Sequence, residues 1–320
     1  MPDRASQSGP SRRPEVRPED ETPAREIVRK VKELWRTDQP SVAVPRDILL
    51  ALVVIAVLLG GLWGYTGQPF PEESPLVVVE SGSMMHPAQA NYGHVGTIDP
   101  GDLIFVKRVD SAEDVVSAHG ALATGSAADQ LGGGGRDGYG GHGDVVIYHK
   151  YGRGQEVPII HRAITWVEVH DQGIDQNGSR ILSFDYHDEL GRWLTDQPSV
   201  TLWNMGIIDM KFPTSGFVTK GDNPQSNQRA DQLDHMPGQL VQADWIVGKA
   251  RGEIPWLGLV KLAFTGNQHP SDTTGFCRFA SAWGLCDTWV MLGLSIVTVI
   301  GVPLALDALV KKRGGRWTGY

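Results

Sequence analysis

Two stretches without a charged side chain constrain this chain more than any other feature. Residues 48–67 read ILLALVVIAVLLGGLWGYTG, and no acid or base falls between Asp47 and Glu72. Residues 288–306 read TWVMLGLSIVTVIGVPLAL, bounded by Asp287 and Asp307. Roughly 20 apolar residues in a helix span the hydrocarbon layer of a bilayer. Both stretches have that length, and a membrane helix tolerates the Pro303 of the second. A helix buried in a protein core is the alternative for each. A cleaved signal peptide is a poor reading of the first, which starts deep in the chain and ends at bulky Trp63 and Tyr65.

Basic residues near membrane ends set orientation. Arg25, Arg29, Lys30, Lys32, Arg36 and Arg46 precede the first stretch, and Lys311, Lys312, Arg313 and Arg316 follow the second. Both ends are therefore expected in the cytoplasm. The expected organisation is a disordered cytoplasmic tail (1–24), an amphipathic juxtamembrane segment (25–46) and a first transmembrane helix (47–67). An extracytoplasmic domain (68–287), a second transmembrane helix (288–310) and a basic cytoplasmic tail (311–320) follow. Ile27, Val28, Val31, Leu34 and Trp35 recur at helical spacing, which predicts a helix lying on the inner membrane surface.

Of the net charge of -8, the expected external segment carries 27 Asp and Glu against 15 Lys and Arg. An acidic chain argues against a nucleic-acid partner, which needs a basic face. Cys277 and Cys286 are the only cysteines. An oxidising exterior permits a disulfide between them, and two free thiols are the alternative. Neither these thiols nor His142 and His149 have companions at metal-ligand spacing, so no metal and no cofactor is expected.

Short runs rich in Val and Ile, punctuated by Gly-Asp and Pro-Gly, predict a mainly β ectodomain. The candidate strands are 76–80, 102–109, 144–149, 158–169, 216–220 and 245–250. Between the second and third, residues 119–143 are so rich in glycine that a flexible surface insertion is expected. It lacks the Gly-x-x-x-x-Gly-Lys-Ser/Thr pattern of a phosphate cradle. Residues 170–212 show no recognisable signal.

Three short segments have the residue types for nucleophilic catalysis. Glu80-Ser81-Gly82-Ser83-Met84-Met85-His86-Pro87 follows an apolar strand. A nucleophilic serine needs an open hydroxyl, a neighbouring base and donors for the oxyanion, and Gly82 permits close approach of a substrate backbone. Ile159-Ile160-His161-Arg162 places a histidine in a β-rich run, and Thr219-Lys220-Gly221-Asp222-Asn223-Pro224 precedes Asp231 and Asp234. Each alone is also read blandly, as a turn with capping hydroxyls, a structural histidine and solvated acids.

In this order, Ser-Gly-Ser-Met, Gly-Asp repeats, His-Arg and Lys-Gly-Asp-Asn resemble type I signal peptidases, of the branch found in archaea and the endoplasmic reticulum. The resemblance covers about residues 77–260, apart from 119–143 and 170–212. It implies the signal-peptidase β fold with one transmembrane helix at each end. It also implies signal-peptide-bearing precursors and the lipid bilayer as partners, and leaves the oligomeric state open. Ser83 matches the nucleophile, and His161 stands where the bacterial branch has a lysine base. Asp222 matches the acid of the Gly-Asp-Asn box and Asp231 a second acid. The spacing to Asp231 is longer than that box leads one to expect, which leaves Asp234 as its rival. Ser81 matches a hydroxyl that assists the oxyanion in some bacterial members. Gly248-Lys249-Ala250 and 254–258 resemble the closing strand and an apolar surface, with Trp256 expected at the membrane interface.

Physical chemistry favours the same base, because an unperturbed imidazole titrates near neutral pH whereas a lysine needs a strongly lowered pKa. His86 is too near Ser83 along the chain to be an easy base, and His119 and His142 flank the flexible insertion. A Ser/Lys dyad using Lys107-Arg108 is the rival chemistry. A non-catalytic membrane-anchored β-domain serving binding or assembly, and a self-cleaving repressor relative, are the rival functions.

Overall fold

The computed structural model of the chain describes residues 23–37, 39–68, 73–85, 95–125, 142–265 and 287–314. Cys277, Cys286, His86, the tail 1–22 and most of the Gly-rich stretch (126–141) lie outside the described residues. The chain divides into two compact units, 1–61 and 62–320.

In the first unit, helix α1 (Pro23–Arg36) carries exposed Ile27, Val28 and Trp35. Helix α2 (Pro40–Thr66) begins at Pro40, whose missing N–H costs nothing in a first turn. Helix α1 ends at Arg36 within the expected segment 25–46, and residues 40–46 belong to the apolar helix. Arg46, almost two turns into α2, donates to the carbonyls of Trp35 and Thr37 and lies 6.0 Å from the Trp35 ring centroid. A side chain of limited reach makes those contacts only if the C-terminus of α1 folds back beside α2. The pair forms an elbow rather than one rod.

The second unit is built on an antiparallel sheet of eight strands. They are β1 (Leu76–Val78), β2 (Leu103–Lys107), β3 (Val145–Tyr148), β4 (Ile159–Ile174), β5 (Arg180–His187), β6 (Trp193–Gln197), β9 (Gly216–Lys220) and β10 (Ile246–Ile254). A separate hairpin joins β7 (Val200–Leu202) to β8 (Ile207–Met210). The main order is β1-β2-β10-β3-β4-β5-β6, with β9 also paired to β4. Strand β4 is the spine: it meets β3 at Ile159 to Arg162, β9 at Arg162 to Val167, and β5 from Val167 onward. The six expected strand regions each contain a strand, whereas β5 to β8 fall where the sequence shows no signal.

Each Gly-Asp pair buries its carboxylate as a tie between elements. Asp102 accepts the N–H groups of Trp256 and Asp99. Asp144 pairs with Lys249 at 2.9 Å and Arg251 at 3.0 Å, bracing β10. Asp222 pairs with Arg162 on β4. Gly143, at φ +89°, is obligatory here, because a Cβ would lie 2.4 Å from the Ala118 nitrogen.

Two expectations fail. Residues at the start of the Gly-rich stretch form helix α3 (Ala118–Thr124), capped by Ser117 and closed by Gly125 in the left-handed region, with His119 buried. A serine N-cap and a C-terminal glycine suffice for one short helix even beside a glycine run. Trp256 is 7% exposed, packed with Val78, Leu259, Leu262 and Leu292 rather than held out at an interface. The apolar side chains left outside are Leu257, Val260 and, at 89% exposure, Phe264. The last two lie on helix α5 (Gly258–Thr265). Leu292 belongs to helix α6 (Asp287–Gly314), so the base of that helix packs on the domain. Pro40–Thr66 and Thr288–Leu306 are both long and apolar enough to cross a membrane, and their large side chains are mostly exposed.

Candidate active site

His161 lies on β4 opposite Val146 of β3, and the residue is 3% exposed. Its Nδ1 is 2.7 Å from Asp231 Oδ2. Asp231 opens the short helix α4 (Asp231–Asp234), reached by the loop that leaves β9. The same carboxylate oxygen accepts Tyr148 Oη at 2.9 Å and Thr219 Oγ1 at 2.7 Å, and Oδ1 meets His235 Nδ1 at 3.2 Å. Burial alone would raise the Asp231 carboxyl. The adjacent His161 charge, with hydrogen bonds from His161, His235 and Thr219, outweighs it and holds the group well below the usual carboxylate range. An ionised Asp231 can only accept. In its neutral form His161 therefore carries its proton on Nδ1 and leaves Nε2 as the acceptor, the tautomer a general base requires. Burial, then the Asp231 charge, pushes the Tyr148 hydroxyl well above its ordinary value, so it remains a neutral donor.

Ser83 lies in a turn closed by Met85 N donating to Gly82 O at 3.2 Å. Met84, 1% exposed, anchors the turn in the cluster of Ile104, Val106, Val145 and Ile147, against which Ile160 packs. Burying a methionine stabilises by about 1.5–3 kcal/mol, more than the roughly 1 kcal/mol of one hydrogen bond, so packing is the main hold. Polar ties fix the register. Asn223 N donates to Ser83 O at 2.9 Å, Asn223 Nδ2 to Gly82 O at 2.7 Å, and Asn227 Nδ2 to Ser83 O at 3.3 Å. Gly221 lets the two segments meet, since a Cβ there would stand 2.6 Å from Ser83 O. The Gly221–Asn223 segment follows Lys220, whose register partner on β4 is Arg162, the residue after His161.

Ser83 is half-buried and exposed Ser81 donates to its Oγ at 3.4 Å, a long contact. Among the described residues His161 and Ser83 share no hydrogen bond. Nucleophile–base contacts are often loose in unliganded enzymes and tighten only with substrate.

The three candidate acids separate cleanly. Asp231 serves His161; Asp222, 2% exposed, serves Arg162; Asp234 is exposed and pairs with Arg229. Lys107 and Arg108 are exposed, and Arg108 pairs with Asp110. Sequence reasoning gave no role to Tyr148, to Thr219, which opens the quoted Thr-Lys-Gly-Asp-Asn-Pro segment, or to His235, whose i,i+4 spacing from Asp231 was a usable signal. It also passed over Lys220, 2% exposed, with Nζ donating to Gly221 O at 3.1 Å. Burial lowers that amine, and the Asp222 and Asp231 charges oppose the change.

No family model and no curated protein matches this chain.

Proposed function

We propose that the chain is a membrane-anchored serine endopeptidase of the signal peptidase I type, removing signal peptides from exported precursors outside the cytoplasmic membrane. The observation carrying this reading is the buried His161–Asp231 hydrogen bond, with the Ser83 turn tied to the loop that runs from β9 to Asp231. In the mechanism, His161 Nε2 takes the Ser83 hydroxyl proton as Oγ attacks the scissile carbonyl. The imidazolium, held by Asp231, returns that proton to the leaving amine. Water deprotonated by the same ring then releases the acyl group and restores Ser83.

In this reading Ser81 donates to the oxyanion, and the precursors expected are those with small residues at the first and third positions before the cut. Two helices long enough to span a bilayer and the exposed Leu257, Val260 and Phe264 support a domain held against the outer leaflet. Sharing a bilayer with the substrate raises effective concentration, so weak subsite contacts suffice. The rival is a binding or assembly module on the same scaffold, favoured by the lack of a Ser83–His161 hydrogen bond. Purified protein should cleave a membrane-inserted precursor, and both Ser83→Ala and His161→Ala should abolish cleavage with unchanged expression. Cleavage that survives Ser83→Ala rejects the protease reading.

A further inference from the structure

Asp231 carries two imidazoles, and only one of them takes part in the chemistry proposed above. His161 Nδ1 stands 2.7 Å from Oδ2 and His235 Nδ1 3.2 Å from Oδ1. The rings meet edge-on with centroids 5.9 Å apart. His235 N donates to Asp231 O at 2.8 Å, so the i,i+4 geometry of α4 aims its ring back at the carboxylate. The two side chains differ sharply in access to water, at 4% exposed for His161 and 47% for His235.

We infer that His235 is a solvent-facing positioning residue for the His161–Asp231 pair, and that its positive charge keeps His161 free to accept a proton in more acidic conditions. This inference rests on the Ser83–His161–Asp231 reading. Four groups face His235: Asp231 and Asp234 on α4, Lys150 just after β3, and the His161 ring on β4. Asp234 is itself paired with Arg229. The hydrogen bond to Asp231 raises His235; burial opposes it, the Asp231 and Asp234 charges add to it, and Lys150 opposes it. His235 therefore keeps its proton to higher pH than a free imidazole, which puts a positive charge beside the His161–Asp231 pair. Like charges about 6 Å apart at an effective dielectric of about 20–40 displace a titration by about 1–2 pH units. Exposure and salt reduce that to about one unit.

The test compares the full-length protein in detergent micelles with His235→Gln, which keeps an N–H donor without the charge, and with His235→Lys, which keeps a charge. The profile of kcat/KM against pH is recorded on a membrane-inserted precursor. We expect His235→Gln to move the acid limb up by about one pH unit and His235→Lys to leave it near the parent's. An unmoved limb, or a uniform loss at every pH, overturns the inference and makes His235 merely structural. A readout free of turnover follows the His161 ring resonances by NMR in a Ser83→Ala background. Coupled rings give two inflections, and His235→Gln should leave one. If the parent shows no Ser83-dependent cleavage, the protease reading fails by itself. The ring titration still decides the coupling, because a single inflection in both proteins refutes it.

Discussion

At the residue scale, three aspartates near one histidine have different physical fates, and substitution should separate them. Asp222→Asn leaves the Arg162 guanidinium, 0% exposed, without its carboxylate. Breaking a buried pair from one side costs about 3–5 kcal/mol, so denaturant unfolding should show a large drop in stability. Asp231→Asn should remain folded, since an amide oxygen still accepts from Tyr148 and Thr219. It should nonetheless lose cleavage on the order of 10³–10⁴-fold, because a neutral amide no longer stabilises the imidazolium that forms on His161. Asp234→Ala removes an exposed pair with Arg229 and should shift stability by less than about 1 kcal/mol. If Asp234 alone abolishes cleavage, the site is misassigned. The sequence alone kept Asp231 and Asp234 as rivals. They stand three positions apart on one short helix, and only the direction each faces distinguishes a buried ligand of His161 from a solvated ion.

At the element scale, legibility followed side-chain chemistry. Strand β3 and the first half of β4 are largely buried and rich in Val and Ile, and buried β9 (GFVTK) sits just before a Gly-Asp turn, so these runs announce themselves. Strands β5 and β6 read RILSFDYH and WLTDQ, which mix polar with apolar residues, and are strands because neighbours supply hydrogen bonds. Such local sequences carry weak preference, so pairing decides them. The elbow between α1 and α2 was likewise hidden, because it depends on one arginine folding back. Arg46→Ala should free it. Spin labels at Val28 and Leu58 in reconstituted protein should give one narrow distance distribution for the parent and a broad one for the variant. A distribution that stays narrow shows that Arg46 does not hold the bend.

At the scale of the whole molecule, the buried carboxylates make stability depend on pH with a defined sign. Burial pushes Asp102 up to about 8, against hydrogen bonds from Trp256 and Asp99 that lower it, while the Asp99 and Glu253 charges raise it further. Glu253 is pushed up to about 7, chiefly by burial. Between the ordinary carboxylate value of about 4 and these values the folded chain holds protons that the unfolded chain has released. Stability should therefore fall as pH rises through that window. Thermal unfolding of the full chain at about pH 5 and about pH 8 measures the slope. Asp102→Asn should flatten it even though the variant is less stable overall, and an unchanged slope assigns the dependence elsewhere.

The sequence by itself determined the two apolar helices, the mainly β domain between them, and the segments from which Ser83, His161 and an acid would be drawn. Those properties are local: apolar length, β-branched runs and turn residues act through near neighbours along the chain. Tertiary structure alone decided which carboxylate meets His161, that Tyr148, Thr219 and His235 share that carboxylate, and that Trp256 is packed inside. Such contacts join residues far apart along the chain, as the 83 positions between Tyr148 and Asp231 show. They arise from strand pairing and burial, which no short window of sequence encodes.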